Sequence, residues 1–208
     1  MTAIEINDVS KSFQDKQVFN HLSFTIEQGN FVVIMGASGS GKSTLLNMLG
    51  LLDKQDNGDI ILLGEKNVKP YSRKATIMLR EKIGYLFQNF ALIDNETVEY
   101  NLKVALDNVK GDKKQKIKDA LKVVGLEGYE KKKIYKCSGG EQQRIALARL
   151  LLKPCEIILA DEPTGSLDNQ NKEIVCNLLK QMQEEGKTVI VVTHDQTLKD
   201  YATQVIEI

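Results

Sequence analysis

The chain has 208 residues, 42% of them hydrophobic and 27% charged, with 15 glycines and 3 prolines. That is ordinary globular composition at the length of one α/β domain, which excludes disorder, collagen-like structure and low complexity. Lys plus Arg and Asp plus Glu number 28 each, so no bulk charge draws the chain to nucleic acid or an anionic membrane, although a local patch could still act.

The first ten residues carry Glu5 and no apolar run, which does not fit a signal peptide, and no window approaches the ~18 apolar residues of a membrane span. The three cysteines form no CxxC pair and the histidines are only His21 and His194. A structural zinc site is therefore not expected, and free thiols in a reducing cytosol are. Residues 3–9 and 18–26 alternate as strands of a half-exposed sheet. Residues 31–35 (FVVIM), 156–160 (EIILA) and 188–193 (TVIVVT) are short and apolar throughout, as strands covered on both faces are. Residues 113–124 and 168–185 show helical stripes, with Ile117, Ala120, Leu121 and Val124 on the first and Ile174, Val175, Leu178 and Met182 on the second. Strand alternating with helix predicts a mainly parallel sheet with right-handed crossovers. Residues 95–136 break the alternation, and two helical patterns there predict a helical lobe inserted into the core. Its lysine runs, 113–116 and 131–133, read as solvated helix faces and ends.

FVVIM is followed by Gly36, Ala37, Ser38, Gly39, Ser40, Gly41, Lys42, Ser43 and Thr44, and then by an apolar-periodic segment. This is G-x-x-x-x-G-K-[ST] between a strand and a helix, the context in which the pattern carries weight. Glycines let backbone N–H groups point at phosphate oxygens, and the helix N-terminus adds its positive dipole end. Lys42 can reach the β- and γ-phosphates and Ser43 can ligate Mg²⁺. The expected ligand is a nucleoside triphosphate.

The strand 156–160 ends in Asp161 and Glu162, at the carboxyl edge where parallel sheets bind ligands. Asp161 suits a role in holding Mg²⁺, and Glu162 is placed to polarise an attacking water. Ser138, Gly139 and Gly140 open a helix over 141–152. A bare helix N-terminus for a second anion and a plain capping turn fit them equally well. His194 ends the strand 188–193 on the same edge, and a structural and a catalytic role are evenly matched for it.

Taken in order, these motifs resemble the ATPase subunit of ATP-binding-cassette (ABC) transporters over essentially the whole chain. They are the phosphate loop at 36–44, Gln88 in YLFQNF, the signature at 137–141, the strand-end acids at 157–162, the D-loop Gly165-Ser166-Leu167-Asp168, and the switch His194. The resemblance implies a P-loop NTPase fold of the α/β class. Its core is RecA-like and mainly parallel, with an antiparallel β subdomain and an α-helical subdomain at about 95–152, all in one nucleotide-binding domain over 1–208. It also implies ATP and Mg²⁺ as cofactors and a head-to-tail dimer in which Ser138, Gly139 and Gly140 of one copy close on ATP bound by the other. Glu162 is then the general base, Lys42 and His194 act on the γ-phosphate, and Ser43, Asp161 and Gln88 serve the metal. Asp168 couples the two sites. Phe13 falls where the family stacks an aromatic on adenine, although a half-buried core Phe is an equal reading. Two departures stand out: Cys137 and Glu141 replace the ends of Leu-Ser-Gly-Gly-Gln, and Gly165-Ser166 stands where Ser-Ala is commoner.

The segments 45–67 and 87–102 are most similar to the branch serving lipoprotein release, macrolide or peptide efflux and bacteriocin export. The short segment after His194 lacks the regulatory tail of sugar importers. These features imply an enzyme on the cytoplasmic face of the membrane, held by a separate permease and powering export of a peptide, bacteriocin, antibiotic or lipid-linked substrate. The alternative is a mechanical or signalling membrane complex that transports nothing. With neither heptads nor a zinc pattern, a member acting on nucleic acid fits less well. The permease groove is expected beside Gln88 and the helical lobe, with Phe90, Leu92 and Ile93 as its apolar residues.

Overall fold

The computed structural model describes residues 1–14, 16–107, 109–165 and 167–208. Two sheets form around two apolar clusters. Strands β1 (Thr2–Phe13), β2 (Lys16–Glu27), β4 (Asn57–Leu62) and β5 (Glu65–Lys66) make an antiparallel sheet in the order β2-β1-β4-β5. Strands β3 (Phe31–Met35), β6 (Ile83–Leu86), β7 (Ile157–Asp161), β8 (Thr188–Val192) and β9 (Gln204–Glu207) make a parallel sheet in the order β6-β7-β8-β3-β9. The helices are α1 (Lys42–Leu49), α2 (Arg73–Glu81), α3 (Val98–Lys103), α4 (Lys113–Val123), α5 (Gly139–Leu152) and α6 (Asn169–Glu184).

Every residue of β3 and of β8 is buried, because the parallel sheet is covered on both faces. On one face Val32, Ile34, Ile190 and Val192 meet Leu45, Leu46 and Leu49 of α1 and the antiparallel sheet beyond, through Ile4, Ile6 and Ile26. On the other, Phe31, Val33, Val189 and Val191 pack with Ile145 and Ala148 of α5 and Val175 and Leu179 of α6. Thus α1, which opens at the phosphate loop, is wedged between the two sheets. Alternation of side chains along β3, β7 and β8 divides these two cores.

Sequence and structure agree on β3, and the other strands shift by a residue or extend. β1 and β2 are longer than their alternating runs because β1 pairs with both β2 and β4. Helix α5 begins two residues earlier than the apolar pattern, at Gly139, since Ser138 caps it. Strands β4, β5, β6 and β9 were not separable by pattern. β6 and β9 are four residues each, too short for a period to register. Residues 95–136 contain α3, α4 and two 3₁₀ turns, with one antiparallel bridge between Thr97 and Lys133.

Candidate functional site

Four neighbouring strands, β6, β7, β8 and β3, deliver the site from their carboxyl ends. The loop after β3 enters α1 through Gly41, whose φ of +99° is left-handed. A Cβ there would strike Val18 and lie 2.7 Å from Phe19 Cζ, so both the turn and the close packing need glycine. The Lys42 ammonium is held over the loop by the carbonyls of Gly36 and Ala37, at 2.8 and 2.9 Å. Ser43 Oγ, one residue on, donates to Asp161 Oδ1 at 3.2 Å, joining the ends of β3 and β7.

Burial raises the Asp161 pKa, with Glu162 adding to the shift, while the Ser43 bond and Lys42 oppose it. The donors at this point are a hydroxyl and a carboxylate, with the Gln88 amide lining the same cavity. Among the described residues no three His, Cys, Asp or Glu side chains converge as a metal cage. Few protein oxygens of hard character, beside a phosphate site, is the mode in which Mg²⁺ is held, so the residues fit that ion.

Glu162 has φ +46°, a left-handed conformation uncommon for a side chain beyond glycine. Its own N–H donates to Val192 O at 2.9 Å, which holds the turn. Its carboxylate is fixed at both oxygens. Thr193 Oγ1 donates to Oε2 at 3.0 Å, and His194 Nδ1 lies 2.9 Å from Oε1. Facing a carboxylate, Nδ1 carries the proton, which leaves Nε2 for a ligand. Next to it Asp195 takes Lys172 Nζ at 2.8 Å, Thr164 Oγ1 at 3.2 Å and the Thr197 hydroxyl at 2.8 Å. The Lys172 bond, with help from Thr197, holds the Asp195 carboxyl far below the usual carboxylate range.

These groups open onto one cavity of about 980 Å³. Phe13, Ser38, Gly39, Gly41, Lys42, Ser43, Thr44, Gln88, Glu162 and His194 line it. Gly36, Ala37, Ser40 and Asp161 lie behind that lining, in the loop and at the end of β7. Ser138, Gly139, Gly140 and Asp168 do not line it; they sit at the N-termini of α5 and α6. There Ser138 and Glu141 form a reciprocal capping box. Asp168 caps α6 through Asn171 N, and Asn171 also bonds Arg144 of α5, so the signature and D-loop helices are tied together. Within the D-loop, Ser166 lies outside the described residues.

Thr193, Lys172 and Thr164 were missed as site residues. One signal was legible for Lys172: a cation in the first turn of a helix opposes the dipole and needs a carboxylate partner. Thr193 gave none, because a β-branched strand residue looks the same whether or not its hydroxyl is used.

The strand order, phosphate loop and paired strand-end acids define a P-loop ATPase of the ATP-binding-cassette class. The family model for ABC transporters matches residues 19–165, and the chain belongs to that family. It is 40% identical to the macrolide export ATP-binding/permease protein MacB of Mannheimia succiniciproducens, across 100% of this chain and 33% of that protein. For MacB of Chlorobium phaeobacteroides the identity is 41%, across 98% and 32%. The chain spans about a third of the length of these curated relatives. Among solved structures it is similar to the dimeric bacterial ABC transporter cassette MJ0796, with TM-score 0.91 and 36% identity, covering 99% of this chain and 94% of that one. The post-hydrolysis MJ0796 dimer bound to ADP and Pi gives TM-score 0.88 at 35% identity over the same shares.

Proposed function

We propose that the chain is the ATP-binding and ATP-hydrolysing subunit of an ABC exporter, pairing head to tail with a second copy and driving a separate permease. The observation that carries this reading is the convergence of Lys42, Ser43, Gln88, Glu162 and His194 on one cavity at the ends of four adjacent strands, β6, β7, β8 and β3. In this reading the loop N–H groups and Lys42 bind the β- and γ-phosphates, and Phe13 stacks on adenine. Glu162 accepts the proton of the attacking water, while Thr193 and the His194 Nδ1–H hold its carboxylate still and Nε2 meets the γ-phosphate. Ser43 and Asp161, with Gln88 lining the same cavity, would hold Mg²⁺, and the ion would supply positive charge beside the phosphate oxygens. Ser138, Gly139 and Gly140 of the second copy supply the missing wall, and Asp168 links the two sites.

The whole of 1–208 serves as one nucleotide-binding unit, with the helical lobe at 95–152. No described helix is long and apolar enough to cross a membrane. The relatives are named ATP-binding/permease proteins, which supports placing the chain at the cytoplasmic side of a permease. The relatives are named for macrolide export, which supports an antibiotic, peptide, bacteriocin or lipid-linked cargo. The expected docking residues need one correction. Phe90 and Leu92 are partly buried against the helical core, and Arg149 bonds the carbonyls of Phe90 and Ala91, so each presents only part of its side chain to a partner. The exposed apolar groups on that side are Ile93, Tyr100 and Val104.

Glu162→Gln tests the chemistry. ATP binding persists, hydrolysis falls by about 10²–10⁴, and an ATP-bound dimer accumulates on size exclusion. Hydrolysis at the wild-type rate would remove Glu162 as the base.

A further inference from the structure

Lys11, 6% exposed, is the one buried charged residue among the described residues, and lies two residues before Phe13 on β1. Its ammonium donates to Asp53 Oδ1 at 2.9 Å and to Lys54 O at 2.7 Å. Its third donor has no oxygen partner among the described residues, and the ammonium stands 4.7 Å from the centroid of the Phe13 ring. Asp53 is itself fastened to the phosphate-loop helix. Leu52 N and Asp53 N both donate to Asn47 O in the last turn of α1, at 2.9 and 3.3 Å. A continuous set of contacts therefore runs from α1 through Asp53 and Lys11 to Phe13.

Phe13 is half exposed and lines the nucleotide cavity, on a strand that ends beside it. An aromatic ring at a strand end, left to itself, samples several rotamers, and fixing it on binding costs affinity. A cation seated against one face restrains the ring before a ligand arrives. It also draws π density toward itself, leaving the other face poorer in electrons and better suited to stack on a purine. An ion pair that only filled a structural need would be complete with Asp53 and the Lys54 carbonyl, without the ring.

We propose that Lys11 is a positioning residue that holds Phe13 for stacking on the nucleotide base and locks that ring to the phosphate-loop helix. This rests on the reading of Phe13 as the adenine-stacking residue. Lys11 does not line the cavity and meets it only through Phe13, so its effect falls on base binding and leaves phosphate binding alone.

The test measures the affinity of the full chain for ADP and for inorganic pyrophosphate by calorimetry, with Mg²⁺ present. Lys11→Met keeps the unbranched stem and removes the charge. It raises the Kd for ADP about three- to tenfold while the Kd for pyrophosphate stays within about twofold. Lys11→Arg, which keeps the charge and stacks on rings, restores most of the loss. In a Phe13→Leu background the same Lys11→Met change adds less than about twofold, since the ring it acts through is gone. Equal weakening of ADP and pyrophosphate, or the same cost with and without the ring, would overturn the proposal and leave Lys11 a structural ion-pair residue. If Phe13→Leu alone leaves ADP affinity unchanged, the stacking role of Phe13 falls and takes this inference with it. If the wild-type chain binds no ADP, the nucleotide site itself is misread.

Discussion

Thr193→Val isolates the orientation of Glu162 from its chemistry. Thr193 is fully buried, and valine has the same branched shape, so the substitution exchanges one hydroxyl for a methyl. Two hydrogen bonds go with it. The first is the hydroxyl to Glu162 Oε2 at 3.0 Å, and a bond to a charged acceptor in a buried setting is worth about 1.5–3 kcal/mol. His194 still holds the other oxygen, so the carboxylate loses a restraint without being released, and the lower half of that range applies. Expressed in the transition state, about 1.4–2 kcal/mol is a ten- to thirtyfold loss of kcat. The second bond is Asp195 N to Thr193 Oγ1 at 3.0 Å. Its loss orphans a part-buried donor at about 1–3 kcal/mol, offset by about 0.8 kcal/mol for the added methyl. Stability should then fall by about 1–2 kcal/mol, read from urea unfolding at constant slope. Steady-state ATP hydrolysis supplies kcat and KM, and KM should stay within about threefold because Thr193 does not line the cavity. A kcat within twofold of wild type would refute the orienting role of Thr193. A kcat and KM that collapse together would mean the strand end had moved.

Gly41→Ala adds a Cβ against Val18 and Phe19 at φ +99°. It should cost about 2–4 kcal/mol in denaturant unfolding and weaken ADP binding more than tenfold. Asp195→Asn removes the charge that Lys172 and Thr197 hold. Because the folded pKa is depressed, the carboxylate stabilises the fold fully above the ordinary Asp range and loses that as pH falls through the folded value. The variant should therefore be about 1–2 kcal/mol less stable at neutral pH, with the gap from wild type closing at strongly acidic pH in parallel melts. On the docking side, Ile93→Glu should melt within about 2 °C of wild type and weaken co-purification of the permease. Phe90→Glu, which charges a side chain packed on the core, should lower Tm by several degrees.

What was legible in the sequence is what is local in the chain. The phosphate loop is nine consecutive residues between a strand and a helix, and Phe31–Met35 is β3 residue for residue. The acids at 161 and 162 announce themselves by ending a buried strand. Partners brought from far along the chain carry no such mark. β9 joins the sheet beside β3 across more than 170 residues, through four residues of mixed burial. Lys11 lies past the alternating run 3–9 and carries no mark of burial in the sequence, because Asp53 and the Lys54 carbonyl arrive from beyond α1. Phe90 and Leu92 read as surface apolar groups because the helical core that partly covers them is assembled from residues well beyond them.

The turn at Ser138 shows why two readings of a motif can be compatible. Read locally, Ser138 and the glycines fit a capping turn and an anion surface equally. In the structure the cap is complete: Ser138 Oγ accepts Glu141 N at 3.3 Å, and Glu141 Oε2 accepts Ser138 N at 2.8 Å. Tyr129 and Lys132 fix the same carboxylate at 2.8 and 2.9 Å, turning it into its own lobe. Burial alone would raise the Glu141 pKa, yet these bonds hold it below the usual range, so the side chain stays an anion. The capping box uses the N–H groups of Ser138 and Glu141 and no others. Those of Gly139 and Gly140, between them, have no partner among the described residues, and neither residue has a side chain to cover them. The cap thus fixes the turn that presents two free donors at a positive helix end. Glutamate in place of the usual glutamine serves this arrangement, because three donors converge on it and a carboxylate only accepts.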